Sequence, residues 1–142
     1  MNNVRVDPEV LDIITMRLPA NMDEAEIRYW MSMIPEAKSY IMRKIKVANR
    51  RINDIETYLE LLEEKYNRHY VFNSNDGSIT ERKAFAKNKL IMSKEYNRLA
   101  KELNKLTEVV EEYNIQLEVV NEKSLAVRKL ANFELNNPYY DE

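Results

Sequence analysis

From Ile41 to Tyr66 the apolar side chains fall at alternating steps of four and three without a miss: Ile41, Ile45, Ala48, Ile52, Ile55, Leu59, Leu62 and Tyr66. This is the a/d repeat of a coiled-coil or bundle seam. A strand cannot use it, because strand side chains change face at every residue. A second seam of the same period runs from Phe85 through Met92, Tyr96, Leu99 and Leu103 to Ala131, and only Lys89 and Ser124 interrupt it. The chain has one glycine, Gly77, and four prolines in 142 residues. A β-rich or α/β domain of this size normally needs several glycines for its turns, so the composition favours few, long helices.

The punctuation sets the elements. Asp7-Pro8 has the residue types of a helix start, an acidic cap followed by a proline at the first turn, and predicts a short helix over 9–17 that ends before Pro19. A second helix is expected to begin near Asp23, with Ile27, Trp30, Met31 and Ile34 on one face. Trp30 is read as a packing anchor, with base stacking as the competing role, and Met16, Met22, Met31, Met33, Met42 and Met92 are read mostly as core filler. Pro35 predicts a break or kink, since proline has no amide donor and clashes with the preceding turn. The residues from Asn73 to Gly77 are a strong turn signal, and Ser78 with Glu81 has the spacing of a capping box. With no glycine or proline between Ser78 and Asn137, the second long helix is expected to run for about 55 residues, or ~80 Å. Pro138 ends it.

The expectation is therefore an all-α chain forming a single helical domain over 1–142, with a long antiparallel, coiled-coil-like hairpin at its centre. Its parts are short N-terminal helices (1–34), a first long helix (36–72), a turn (73–78), a second long helix (79–136) and a tail (137–142). With the turn near Asn75, residues whose numbers sum to about 150 face each other. The second arm outruns the first, so the N-terminal helices or another subunit should cover Val110 onwards, and self-association is expected.

Little in the sequence points to catalysis. There is no cysteine, which excludes disulfides and thiolate metal sites and fits a reducing compartment. His69 is the only histidine, and one His without Cys makes a poor zinc site. No Glu-x-x-His pair, glycine-rich phosphate loop or nucleophile–base constellation occurs. The chain is read as not an enzyme, with no metal and no cofactor. Met1 to Val6 does not open a signal peptide, and no apolar run is long enough to span a bilayer, so no membrane role and a cytoplasmic location are expected.

Charge placement carries more information. The net charge of −2 gives no general attraction to nucleic acid, so binding would need local clustering. Between Lys38 and Asn53 stand six cations and no acid, among them Lys44, Arg50 and Arg51. Between Arg82 and Leu106 stand eight cations, beginning with Arg82 and Lys83, against Glu95 and Glu102. Folding back brings 46–51 opposite 98–105, so the two segments converge. Two readings stay open: a polyanion-binding face, or a solvated face on which Asp54 to Glu64 pairs with Lys87 to Lys94. Beside the turn, Lys65-Tyr66-Asn67-Arg68-His69-Tyr70 interleaves cations with rings, a combination that suits single-stranded nucleic acid.

This order of features resembles the UvsY-type recombination mediators of tailed phages. The similar pattern is a helix ending in a basic, tyrosine-rich stretch (Lys65 to Tyr70), a polar loop with glycine, an acidic-Arg helix start (Glu81-Arg82), and a basic amphipathic segment from Glu122 to Glu134. The family has a paired Tyr-Tyr where this chain has His69-Tyr70. The resemblance implies an oligomeric protein that binds single-stranded DNA and loads a RecA-like recombinase onto DNA coated with single-strand-binding protein, in the host cytoplasm if the chain is phage-encoded. Carried over by position, it gives Lys65 and Arg68 to DNA, and Leu125, Val127, Leu130 and Phe133 to assembly. Val120 joins that assembly set from its place on the seam. With the clusters, the DNA-contacting set is Lys44, Arg50, Arg51, Lys65, Arg68, Arg82 and Lys83. The alternative from another class is a structural or protein-binding coiled-coil module, such as a virion component or an inhibitor, without nucleic-acid binding.

Overall fold

The computed structural model describes residues 7–73, 75 and 77–136, with the side chains of 134–136 excepted. Pro138 and the tail therefore lie outside the described residues, as do Ser74 and Asp76 of the turn. All regular structure among the described residues is helical: α1 (Pro8–Thr15), α2 (Glu24–Asn67), a π-helical turn (Arg68–Phe72), α3 (Ile79–Ile91) and α4 (Lys94–Asn136). The all-α expectation holds.

The helix starts follow the capping residues. Asp7 Oδ1 accepts from the Glu9 amide at 3.0 Å with Pro8 in the first turn, and Asp23 Oδ1 accepts from the Glu26 amide at 2.8 Å. Ser78 Oγ accepts from the Glu81 amide at 3.2 Å. Just before it, Gly77 takes φ +81°, a left-handed conformation that an L side chain adopts only with strain.

Two expectations about helix limits are corrected. Pro35 does not end a helix; it sits inside α2, which runs 44 residues. The reason is burial on both sides of it. Ile27, Trp30, Ile34, Ala37 and Ile41 continue one buried face across the proline, whereas Pro35 and Met31, whose carbonyl loses its donor, are both exposed to water. The second long helix is not continuous over 79–136. It stops at Ile91 and restarts at Lys94. Ser93 Oγ accepts from the Tyr96 amide at 3.4 Å, and the Asn97 side-chain amide donates to the Ile91 carbonyl at 2.9 Å, so the break has its own caps.

That break changes the phase of the seam. In α3 the inward positions are Ala86 and Leu90, with Arg82 half-buried, and not Phe85, Lys89 and Met92. Met92 is 77% exposed and Phe85 51%. Were α3 to run on unbroken from Leu90, Lys94, Asn97 and Lys101 would turn inward. Restarting at Lys94 turns Tyr96, Leu99 and Leu103 inward instead.

The chain divides into two compact units. Unit 1 comprises Met1–Lys46 with Glu111–Glu142, and unit 2 comprises Val47–Val110. The unit 1 core is built from Ile13 of α1, Ile27, Trp30 and Ile41 of α2, and Val120 and Val127 of α4. Trp30 is thus a packing residue. Met22 and Met33 lie against this core, but Met16, Met31, Met42 and Met92 are exposed, so core filling accounts for only two of the six. The unit 2 core gathers Ile55, Leu62, Leu90 and Leu99, with Leu59, Tyr66, Tyr96, Leu103 and Leu106 packed on it.

Candidate nucleic-acid interface

The end of the first arm shows how unit 2 arranges its cations and rings. Continuing the seam by a step of three from Tyr66 would bury His69. The five residues Arg68–Phe72 instead form a π-helical turn, in which Asn73 N donates to the Arg68 carbonyl at 3.2 Å. The wider turn leaves His69 in water and buries Val71. Arg82 of α3 donates from its Nη1 to the Val71 carbonyl at 2.8 Å, placing a guanidinium on a helix C-terminus, where a cation is favoured. Arg82, expected on DNA, is thereby committed to holding the turn.

Around this turn the rings form a connected set. Tyr70 stacks edge-on against Phe85 at 5.3 Å and against His69 at 4.6 Å, and lies 5.9 Å from Tyr66. Lys89 Nζ sits 5.3 Å from the Phe85 ring centre, within reach of a cation–π contact. Lys65 shares a recess of about 260 Å³ with Tyr66, His69 and Tyr70. A larger cleft of about 420 Å³ opens among three elements. Glu63, Tyr66 and Asn67 come from α2 and Tyr96 from the first turn of α4. On the α3 side stand Lys83 and Lys87 over a floor that includes Ala86 and Leu90. Sequence reasoning placed Tyr66 and Tyr96 on the seam, gave Glu63 a place only in the acidic run read as pairing with Lys87 to Lys94, and gave Asn67 no part beyond its place in the stretch from Lys65 to Tyr70. The cleft depends on the break at Met92–Ser93, whose signal was the Ser93-Lys94-Glu95 cap.

The other nominated cations differ in their engagements. Arg51 makes a two-pronged ion pair with Glu102 across the arms, Nε to Oε1 at 2.8 Å and Nη2 to Oε2 at 3.1 Å. This hydrogen bonding raises Arg51 above the usual guanidinium range and holds the Glu102 carboxyl below the usual carboxylate range. Their numbers sum to 153, as folding back requires. Arg51 and Arg98 do line one recess, so the basic segments converge, but Asp54 and Glu95 line it with them. Arg68 pairs with Glu64 one turn earlier at 3.1 Å, both well exposed. Lys44, in unit 1, lies 5.6 Å from the Tyr40 ring centre, and Arg50 is exposed. Among the described residues no ion pair joins Asp54–Glu64 to Lys87–Lys94; the pairs are Arg28–Glu24, Arg51–Glu102 and Arg68–Glu64.

The assembly residues fall into two groups. Val120 and Val127 are wholly occupied in the unit 1 core, which α1 and the start of α2 complete. Leu130 lies half-buried against the same core, while Leu125 and Phe133 are 58% and 59% exposed. Within unit 1 the Lys123 ammonium donates to the carbonyls of both Ile13 and Ile14 at 2.9 Å, closing the end of α1. Burial lowers its pKa. Among the described residues no group of three or more His, Cys, Asp or Glu side chains could hold a metal ion, and no helix is long and apolar enough to cross a membrane. Comparison with protein-family models, curated proteins and solved structures finds no match.

Proposed function

We propose that the chain is a single-stranded-DNA-binding accessory protein that acts as an oligomer. The observation that carries this reading is the surface of unit 2 beside the turn. There Lys65, Lys83, Lys87 and Lys89 stand solvent-exposed, with no ion-pair partner among the described residues, next to the rings of Tyr66, Tyr70, Phe85 and Tyr96. Cations follow a phosphate backbone and rings stack on bases without regard to sequence, which is the chemistry of a single strand. Arg68 belongs with this set, because an exposed ion pair one turn long is weak and readily exchanged for phosphate. Arg51 and Arg82 contribute less, since Glu102 and the Val71 carbonyl already engage them. The recombination-mediator form, with a RecA-like recombinase and single-strand-binding protein as partners, rests on the resemblance alone.

A titration of binding against salt tests the reading. Each phosphate contact adds about −0.7 to the log–log slope on a single strand. Replacing Lys65 and Arg68 together by Ala shallows the slope by roughly 1.4 if both touch phosphate. Changing Glu111 and Glu118 leaves it alone. An unchanged slope in the double variant removes these two residues from the interface. The second reading, a protein-binding helical module, draws on the exposed apolar side chains Ile115, Leu125 and Phe133 of α4.

A further inference from the structure

We infer that the cleft beside the turn is a base-reading subsite for one guanine nucleotide of a bound single strand, an assignment that rests on the single-strand-binding reading above. The two sides of the cleft differ in chemistry. On the α2 side, Glu63 and Asn67 stand one helical turn apart with Tyr66 between them in sequence. On the α3 side, Lys83 and Lys87 also stand one turn apart. Tyr66 and Tyr96 supply rings against which the faces of a planar base can be shielded from water. At about 420 Å³ the cleft lies in the range of small-ligand sites.

The carboxylate fixes which way round a nucleotide enters. The carboxylate side chain of Glu63 offers acceptor oxygens and disfavours phosphate beside it, so the phosphate goes to Lys83 and Lys87 and the base edge turns toward α2. Guanine offers adjacent N1–H and N2–H donors, which suit the two oxygens of one carboxylate. Its neighbouring O6 can accept from the Asn67 amide. Adenine and cytosine present one amino group on that edge, and thymine one ring N–H, so each satisfies the carboxylate less fully. A two-pronged contact of this kind gives discrimination of about tenfold.

The test compares a labelled oligothymidine strand with the same strand carrying isolated, well-separated guanines, using fluorescence anisotropy at one salt concentration. Wild-type protein should bind the guanine-bearing strand about tenfold more tightly. Glu63→Gln should bring the two affinities together while holding or strengthening the affinity for oligothymidine. Guanosine monophosphate added as competitor should displace the strand only at roughly millimolar concentration, because it brings one nucleotide's contacts where the strand brings several. Equal wild-type affinities, or a preference that survives Glu63→Gln, would overturn the assignment. Displacement by micromolar monophosphate would overturn the strand as the ligand and assign the cleft to a free nucleotide. Failure to bind either strand would count against the single-strand reading itself.

Discussion

Two cations close helix ends that belong to other elements. Lys123 reaches from α4 to the Ile13 and Ile14 carbonyls, and Arg82 from α3 to the Val71 carbonyl. Each satisfies a carbonyl left over at a helix C-terminus and sits where the helix dipole favours positive charge. Replacing Lys123 by Met keeps the aliphatic stem and removes both donors. It should lower unfolding free energy by about 1–2 kcal/mol, measured by denaturant titration. The effect depends on pH in a defined direction. Because burial lowers the Lys123 pKa below 10.5, the unfolded chain holds the proton more tightly. The cost of desolvating the ammonium is fully present below the folded pKa and is relieved as pH rises from there to 10.5. The stability gap between wild type and Lys123→Met should therefore widen through that window. Tyr29 and Tyr113, whose phenols are pushed up first by burial, are present in both proteins and cancel in the difference. A gap that narrows would contradict this account of Lys123.

At the scale of elements, each departure from a regular helix keeps an apolar face turned inward. The π-helical turn brings Val71 in and leaves His69 out, and the break at Met92–Ser93 turns Tyr96 and Leu99 to the core. Proline within α2 survives because the residues on either side are buried together. Pro35→Ala restores an amide donor to the Met31 carbonyl, and should raise stability by about 1–3 kcal/mol in the same titration. No gain would mean that the proline relieves some other strain. The seams of α2 and α4 were legible in the sequence, because a strict alternation of three and four leaves a helix only one way to face a partner. The α3 seam was read one residue out of phase. Ala86 is a weak apolar marker beside Phe85, and the true face includes Arg82, whose inward role exists only once Val71 lies beside it. The candidate site divides along the same line. Which residues are cationic was legible, but the engagement of Arg51 by Glu102 and of Arg82 by Val71 arises from partners distant in sequence. The cleft needed the break in the second arm, which the reading of one continuous helix passed over.

For the whole molecule, the covering of Val120 and Val127 by α1 and α2 separates assembly from folding. Changing either to a charged residue would breach the unit 1 core, so these positions do not test self-association cleanly. Leu125 and Phe133 do, since both are exposed. Leu125→Ser with Phe133→Ser should leave helicity by circular dichroism intact and reduce the mass measured by sedimentation at micromolar concentration. Wild-type protein that sediments as a monomer would rule out the oligomeric form of the proposal. The central claim is that the surface beside the turn holds a single strand through its phosphates. The most direct measurement is the affinity of wild-type protein for a long labelled oligonucleotide, followed from low to raised salt. With Lys65, Arg68, Lys83, Lys87 and Lys89 on phosphate, binding at low salt should weaken along a log–log slope of about −3.5. Absence of binding at low salt, or an affinity indifferent to salt, would contradict the claim.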